Sequence, residues 1–548
     1  MNAVPALTVA RCMENSRLAH MLIIFSCAFI MPATNRSDAA EWVLWQGERV
    51  ALEVHPPTGD LGAASLTQRI LARYLNEFFA RALEPNTHRL LPRIQVVLGT
   101  PANNPTLEKL VASGLELGRE NLGDEGFQLR TWEQGDDRYL ILYGLTPRAL
   151  KHACQELLFY QVQADAQRAW IEAPLHVTRK PAMRYRGIYM LPCWAAHDSV
   201  ESWERVLRFN SELTLNRNWY WLDGFPIAGH TGEYAGTDLA NPTKVQHLFN
   251  VAAAEEMNIA IGGGWHNWHH AKAVGHDLAQ GREYYLAYLK YFTNFHGFYI
   301  EPTGEGRETD RWQAESDSLC QLIRQVLEQR PDFEFALAIG KFNNPEYLRR
   351  MSQWDPQRVF WWWCWGDPIR DRALDLYPSV LRWHLSQAMS EYHGAIEPPE
   401  VREQALTGMA TSYDPGQGFG NPWSGWAAMG TDRPRNFHPH TVPYFGQQYF
   451  FRERCWQLDL TEARFVERLQ RRLFDAWAPA EAGKLYWQLS RMAQRSVRKD
   501  LPSEADLAAV SRLVGTLRER PATARMADTI ARMDEALSQL RQRMRGSK

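Results

Sequence analysis

Phe298-Tyr299-Ile300 has the length and aromatic content of a buried strand, and it runs into Glu301, Pro302 and a Gly304-Glu305-Gly306 turn. The two glycines leave the backbone at Glu305 free to present its carboxyl group toward a ligand. Further chemistry-bearing residues follow other predicted strands: Asp223, Trp265, His266, Arg307, Lys341, Trp365, Asp367, Glu391 and Glu397. Several carboxylates with Trp, Tyr and His between them suit the cleavage of a glycosidic bond. One carboxylic acid protonates the leaving oxygen while one carboxylate activates water or attacks the anomeric carbon. A solvated acidic loop or a structural ion-pair network would also use carboxylates, but would be less expected to gather them at successive strand ends.

The elements that must position these residues follow from the rhythm of the chain. After Pro181, strand, loop and helix recur at the spacing of a βα barrel, with predicted strands at 184–190, 215–221, 259–261, 298–300, 335–339 and 359–365. A seventh is expected at 381–385, and an eighth at either 394–397 or 407–413. Helices are expected at 203–210 and 310–330. Such barrels carry their catalytic groups where the strands end. Upstream, strands at 93–99, 126–129 and 139–144 and a helix opened by Pro147 and running to 160 mark a small α/β domain. Gly99 and Gly144 do not form a dinucleotide fingerprint, so a structural module is expected there. Beyond 436, helical spacing at 461–474, 480–495, 503–518 and 522–545 carries charged faces but no catalytic constellation, which suits packing or a homodimer contact. The fold class expected is α/β: a TIM-like (β/α)8 barrel at 179–435, preceded by an α/β domain at 41–178 and followed by a helical domain at 436–548.

Composition narrows the function classes. The chain has 548 residues, 45% hydrophobic and 23% charged, with a formal net charge of −2 and no long basic run, so a nucleic-acid surface is not indicated. Its 22 tryptophans, 20 tyrosines and 23 phenylalanines are abundant enough to supply faces that stack on sugar rings as well as a core. Residues 21–33 are mostly apolar, follow Arg11, Arg17 and His20, and are too short for a membrane span of ~20 residues. They fit the core of a signal peptide covering 1–40, which implies export to the periplasm or the extracellular space and no membrane anchorage after cleavage. Cys154, Cys193, Cys320, Cys364 and Cys455 form neither a disulfide framework nor a CxxC metal motif, and read as small buried residues. His266, His269 and His270 invite a zinc reading, but the Glu of an HExxH helix is missing. Hydrogen bonding to sugar hydroxyls suits them better, and neither a metal nor a cofactor is expected. His438 and His440 flank Pro439 and read as structural or at a domain seam.

These motifs resemble the glycoside hydrolase family 67 α-glucuronidases. That family carries Lys-Ala-Asn-Ser-Glu-Gly at its fourth barrel strand, and this chain has Glu301-Pro302-Thr303-Gly304-Glu305-Gly306. The family's Gln-Glu-Tyr-Leu-Gly is matched by Ser390-Glu391-Tyr392-His393-Gly394, and its Gly-Pro-Ile-Asp is echoed by Gly366-Asp367-Pro368. The order of domains is similar as well. The resemblance implies an inverting glycosidase acting on an oligosaccharide or polysaccharide-derived substrate, with Glu305 as general acid and Glu391 with Asp367 on the water side. Family 20 hexosaminidases share the domain order, but their paired Asp-Glu after strand four is absent here.

One departure bears on specificity. The family's Lys, which helps to hold the uronate carboxylate, is replaced by Glu301. Facing an anionic sugar, that carboxylate would be repulsive, and the lost ion pair costs a few kcal/mol in a buried site. Either Lys341 or Arg307 compensates, or the substrate is a neutral sugar whose hydroxyls Glu301 accepts. Asp223, Trp265, His266, Trp365 and Glu397 complete the candidate substrate-binding set. A non-catalytic carbohydrate-binding protein on a barrel scaffold is the alternative from another class. A sugar lyase would need a Tyr, His or Lys base instead.

Overall fold

The computed structural model describes residues 40–546, apart from 48, 59–60, 80–90, 119–121, 191–198, 222–237, 265–276, 302–310, 340–345, 347–348, 351–352, 356, 364–381, 387–407, 414–439 and 498–499. The N-terminal part holds two sheets. One is four-stranded, in the order β2-β1-β8-β7, from β1 (Ala40–Gln46), β2 (Arg49–Val50), β7 (Gln163–Ala164) and β8 (Arg168–Ala173). The other runs β3-β4-β6-β5-β9, from β3 (Leu52–His55), β4 (Ile94–Gly99), β5 (Phe127–Gln134), β6 (Asp137–Gly144) and β9 (His176–Arg179). Helices α1 (Leu61–Phe79), α2 (Pro105–Ala112) and α3 (Pro147–Glu156) accompany them, and α3 widens into a π-turn at Leu157–Gln161.

The apolar runs of β4 and β6 are continuous because both faces are covered. Val97, Tyr139 and Ile141 meet Leu107 and Leu110 of α2, while Val96, Leu98, Leu140 and Leu142 enter the main core. The start of α2 is fixed by Asn104. Its Oδ1 accepts from the backbone N–H groups of Thr106 (3.0 Å) and Leu107 (3.3 Å), and its Nδ2 donates to Leu98 O at 2.8 Å.

Eight parallel strands follow: β10 (Tyr185–Met190), β11 (Arg217–Trp221), β12 (Asn258–Gly264), β13 (Gly297–Glu301), β14 (Glu334–Ile339), β15 (Val359–Trp363), β16 (Arg382–Ser386) and β17 (Gly408–Tyr413). Each pairs with the next, and the sheet curls until β17 pairs in parallel with β10. Helices α4 (Val200–Glu212), α5 (Pro242–Ala254), α6 (Leu278–Tyr291) and α7 (Trp312–Gln329) follow the first four strands. The eighth strand is the 407–413 choice; the 394–397 choice lies outside the described residues.

Contacts between strands that are not neighbours identify the barrel interior. Tyr185 of β10 stacks on Phe360 of β15, their centroids 5.9 Å apart. The guanidinium of Arg217 in β11 bonds both carboxylate oxygens of Glu334 in β14, at 3.1 and 2.9 Å. One step further along the same face, Trp219 lies against Gly187, where a Cβ would stand 1.7 Å from the indole. Glycine at 187 lets that ring, only 1% exposed, fill the interior.

The third strand is longer than its sequence indicates. Gly262, Gly263 and Gly264 extend β12 rather than ending it, and Gly262 has φ +147° with its Cα against Tyr299 O, where a Cβ would stand at 2.0 Å.

The C-terminal part consists of α8 (Val442–Trp456), α9 (Glu462–Leu473), α10 (Ala482–Val497), α11 (Glu504–Arg518) and α12 (Ala524–Gly546). All 15 residues of α8 are buried, charged ones included. Trp456 Nε1 donates to Thr214 Oγ1 (2.6 Å), and the Met183 N–H donates to Cys455 O (2.9 Å), so α8 packs on the barrel's N-terminal end. His440 is structural: its Nε2 lies 3.1 Å from Glu212 Oε2 and its ring stacks on Phe445. Cys154 and Cys455 sit in the core, whereas Cys193 and Cys364 lie outside the described residues. No described helix is long and apolar enough to cross a membrane.

Lys151 of α3 joins the N-terminal part to the barrel helices. Its buried Nζ donates to Ser211 Oγ (3.1 Å) and Glu255 O (2.6 Å), and burial pulls its pKa from 10.5 down to about 8. A base whose folded pKa is depressed destabilises the folded state while it is charged, and that cost is relieved as pH rises from the folded value toward the unfolded one. Wild type should therefore gain stability relative to Lys151→Met between pH 8 and pH 10.5. The gain should be at most ~3 kcal/mol, read from urea midpoints. A pH-independent difference between the two proteins would contradict this role.

Candidate active site

In a parallel sheet every strand ends on the same edge. Met190, Trp221, Gly264, Glu301, Ile339, Trp363, Ser386 and Tyr413 therefore close one rim of the cylinder. Of the candidate site residues, Glu301 is described as the last residue of β13, in register with Gly264 of β12. Asp223, Trp265, His266, Glu305, Arg307, Lys341, Trp365, Asp367, Glu391 and Glu397 lie outside the described residues, as do His269 and His270. Trp265 and His266 come directly after Gly264, Asp223 two residues after Trp221, and Lys341 two after Ile339. Trp365 and Asp367 come two and four residues after Trp363, and Glu305 four after Glu301. Glu391 follows Ser386 by five residues, and Glu397 by eleven. Among the described residues no group of three His, Cys, Asp or Glu side chains could hold a metal ion.

The opposite end of the barrel holds charged groups that the sequence analysis did not single out. Arg186, fully buried on β10, donates to Thr214 O (3.1 and 3.0 Å), to Met183 O (2.8 Å) and to the Glu125 carboxylate. Asn216 Nδ2 donates to Glu125 Oε1 at 2.6 Å, and Arg148 adds a bond of 3.2 Å. Burial alone would raise the Glu125 pKa, but Arg186 and Arg148 outweigh it and hold the carboxyl far below the usual range. His152, buried beside them, is held neutral by burial. These groups, with the Arg217–Glu334 pair, brace the N-terminal end of the barrel, where barrels keep residues for stability. A signal was available: Asn216, Arg217 and Asn218 put three polar residues in a row into the strand expected at 215–221.

No family model matches the chain, and no curated protein matches it. Solved structures do. The protein CpGH84B aligns over 91% of this chain and 87% of its own at 9% identity, with a TM-score of 0.53. A GH138 enzyme targeting pectin rhamnogalacturonan II aligns over 81% and 69% at 10% identity, TM-score 0.53. The chitobiase of Flavobacterium johnsoniae, a GH20 protein, aligns over 84% and 72% at 13% identity, TM-score 0.50. The fold is thus one that these glycoside hydrolases also have. It is shared with family 20, which the sequence analysis set aside for want of a paired Asp-Glu, and the likeness does not single out family 67. Backbone shape is set by the core and the strand pairing, and needs no catalytic motif.

Proposed function

We propose that this protein is an exported glycoside hydrolase that cleaves its substrate at the rim of the barrel. Glu305 is the general acid, and Asp367 and Glu391 handle the water. The observation that carries the reading is the curled parallel sheet: it brings the strand ends onto one edge, and these three residues lie within four or five residues of an end. An extended chain advances at most ~3.5 Å per residue, so such tethers keep the groups within a substrate's length of the rim. Trp265, His266, Asp223, Lys341, Arg307, Trp365 and Glu397 line the sugar site, with the aromatic rings against C–H faces and the polar groups on hydroxyls. The substrate is an oligosaccharide or a fragment of a polysaccharide. In the finer reading the chain is α-glucuronidase-like and inverting, with acid and base carboxyls ~6.5–9.5 Å apart to admit a water molecule. Residues 41–178, 179–435 and 436–548 are its three domains, and 1–40 its signal peptide.

Aryl glycosides, uronide and neutral, presented to the purified protein test the reading. Hydrolysis of one of them supports it, whereas binding of sugars with no turnover on any would leave a carbohydrate-binding protein. The charge at position 301 makes a sharper prediction. A carboxylate in the place of a uronate-binding lysine opposes an anionic sugar, so wild type should favour a glucoside over the matched glucuronide in kcat/KM. Glu301→Lys should move the ratio toward the glucuronide by about tenfold or more, one retained ion pair being worth ~1–2 kcal/mol. A wild type that strongly prefers the glucuronide, and is impaired by the lysine, would overturn this assignment.

A further inference from the structure

A cavity of about 610 Å³ opens at the N-terminal mouth of the barrel, the end opposite the rim. Tyr185, Arg217 and Glu334 in its wall are the first residues of β10, β11 and β14, and Arg358 comes directly before β15. The loop before β5, α3 and the linker between β9 and β10 close it from the other side, so it lies where the N-terminal part meets the barrel. Among the described lining residues there are three carboxylates, and two are engaged. Glu334 takes both arms of Arg217, and Glu125 takes Arg148 and Arg186, which leaves Asp124. Five cations face them: Arg148, Lys180, Arg184, Arg217 and Arg358. Charges just outside the wall do not cancel the surplus. Arg186 adds to it, Glu256, whose charge reaches Arg148, offsets Arg186, and Asp332 is matched by Arg330 at 3.7 Å.

Two of the guanidinium groups have no described carboxylate paired with them. Arg184 lies 5.1 Å over the ring of Tyr185, and Arg358 donates to the neutral Asp332 carbonyl at 2.9 Å. A guanidinium stacked on a ring keeps its in-plane N–H groups for another acceptor. The fields of these groups converge on one point. Burial raises the Tyr185 pKa, Arg184 and Arg217 pull it down, Glu334 pushes it up, and Arg358 again pulls it down. Arg184 is exposed and Arg358 half-buried, so both are within reach of a ligand entering from solvent. The volume lies in the range of small-ligand sites and exceeds what a bare ion needs.

We propose that this cavity binds a small molecule through an oxyanion group, a carboxylate or a phosphate, held by Arg184 and Arg358. Guanidinium groups match both kinds of oxyanion with paired hydrogen bonds. Bound there, the ligand bridges the linker of the N-terminal part and the start of β15, and stabilises the assembled chain by mass action. The site stands at the far end of the barrel from Glu301, is independent of the glycosidase reading and survives its failure.

Calorimetric titration and thermal unfolding of the full chain test it, with inorganic phosphate, glucuronate and glucose, and with sodium chloride at matched ionic strength. Phosphate or glucuronate should bind saturably and raise Tm by about 2–3 °C at a hundred times its Kd, while glucose and chloride do neither. The tighter of the two oxyanions names the source. Arg184→Gln and Arg358→Gln should each weaken that binding about tenfold or more, the worth of a hydrogen bond to a charged group. Their loss also separates this site from sugar binding at the rim. Arg518→Gln removes the same charge from α11, outside the cavity, and should leave the binding unchanged. No saturable binding of either oxyanion, a response that chloride reproduces, binding that survives both cavity variants, or equal weakening in Arg518→Gln would each overturn the proposal.

Discussion

Glu305→Gln should lower kcat by about 10²- to 10⁴-fold while leaving substrate binding nearly intact, the range over which a positioned general acid contributes. The amide matches the carboxyl in size and can still donate a hydrogen bond, but it has no proton to give to the departing oxygen. The loss should therefore depend on the leaving group. Glycosides of acidic phenols depart without protonation and should be hydrolysed far less impaired than alkyl glycosides. The variant should also lose the basic limb of the kcat/KM profile, which reports the acid in the free enzyme. A variant that raises KM alone would make Glu305 a binding residue. Turnover unchanged on every substrate would remove it from the site.

The second large effect is on stability. Arg468 of α9 is buried with its guanidinium bonded to both oxygens of Glu156, at 3.2 and 2.9 Å, and lying 3.6 Å over the ring of Tyr160. Its Nε is also 2.6 Å from Glu453 Oε2, without the alignment of a hydrogen bond, so that contact acts through charge. Arg179 and Arg452 complete the cluster. Burial would raise the pKa of Glu453, but Arg452 and Arg468 prevail and hold it down at about 2. Removing one partner leaves buried carboxylates undercompensated, a change that costs ~3–5 kcal/mol. Arg468→Met should show that loss in urea midpoints at neutral pH.

The sign of its pH dependence follows. Glu453 in wild type contributes stability that is present above its unfolded value of 4.5 and lost as pH falls toward 2. The variant has less of it to lose, so the gap between the two proteins should narrow below pH 4.5. A gap that is small at neutral pH, or that widens on acidification, would show the cluster to be of little consequence.

The barrel strands were legible because a parallel sheet buries both faces and leaves short, continuous apolar runs such as Phe335-Ala336-Leu337. The sequence pattern ends the third strand at Ile261 because glycines normally punctuate strands; in the fold, Gly262 is required by its approach to the Tyr299 carbonyl. The sheet that pairs β1 with β8 was not legible. Ala40 meets Ala173 across more than 120 residues of chain, and no local pattern encodes such a pairing. Nor did the charged stretch Arg452-Glu453-Arg454 advertise that it is buried: its partners arrive from elsewhere, Thr214 for Arg452, Tyr160, Arg179 and Arg468 for Glu453, and the Leu460 carbonyl for Arg454. Of the site, Glu301 at the end of β13 is placed by the fold, and the remaining candidates are placed only by how few residues separate them from a strand end.

The burial of all 15 residues of α8 sets a timetable for the nascent chain. Helices α9, α10 and α12, which cover one side of α8, are encoded after it. The N-terminal part and the barrel, which it also contacts, are encoded before residue 440 and leave the ribosome first. Their mutual seat, around Thr214, Met183 and Tyr160, is finished only when 442–456 arrives. At ~5–20 residues per second, the interval between the last barrel strand and α8 lasts seconds, during which apolar surface stays bare. A chain stopped short of Trp456 should therefore be a client of chaperones rather than a smaller working protein.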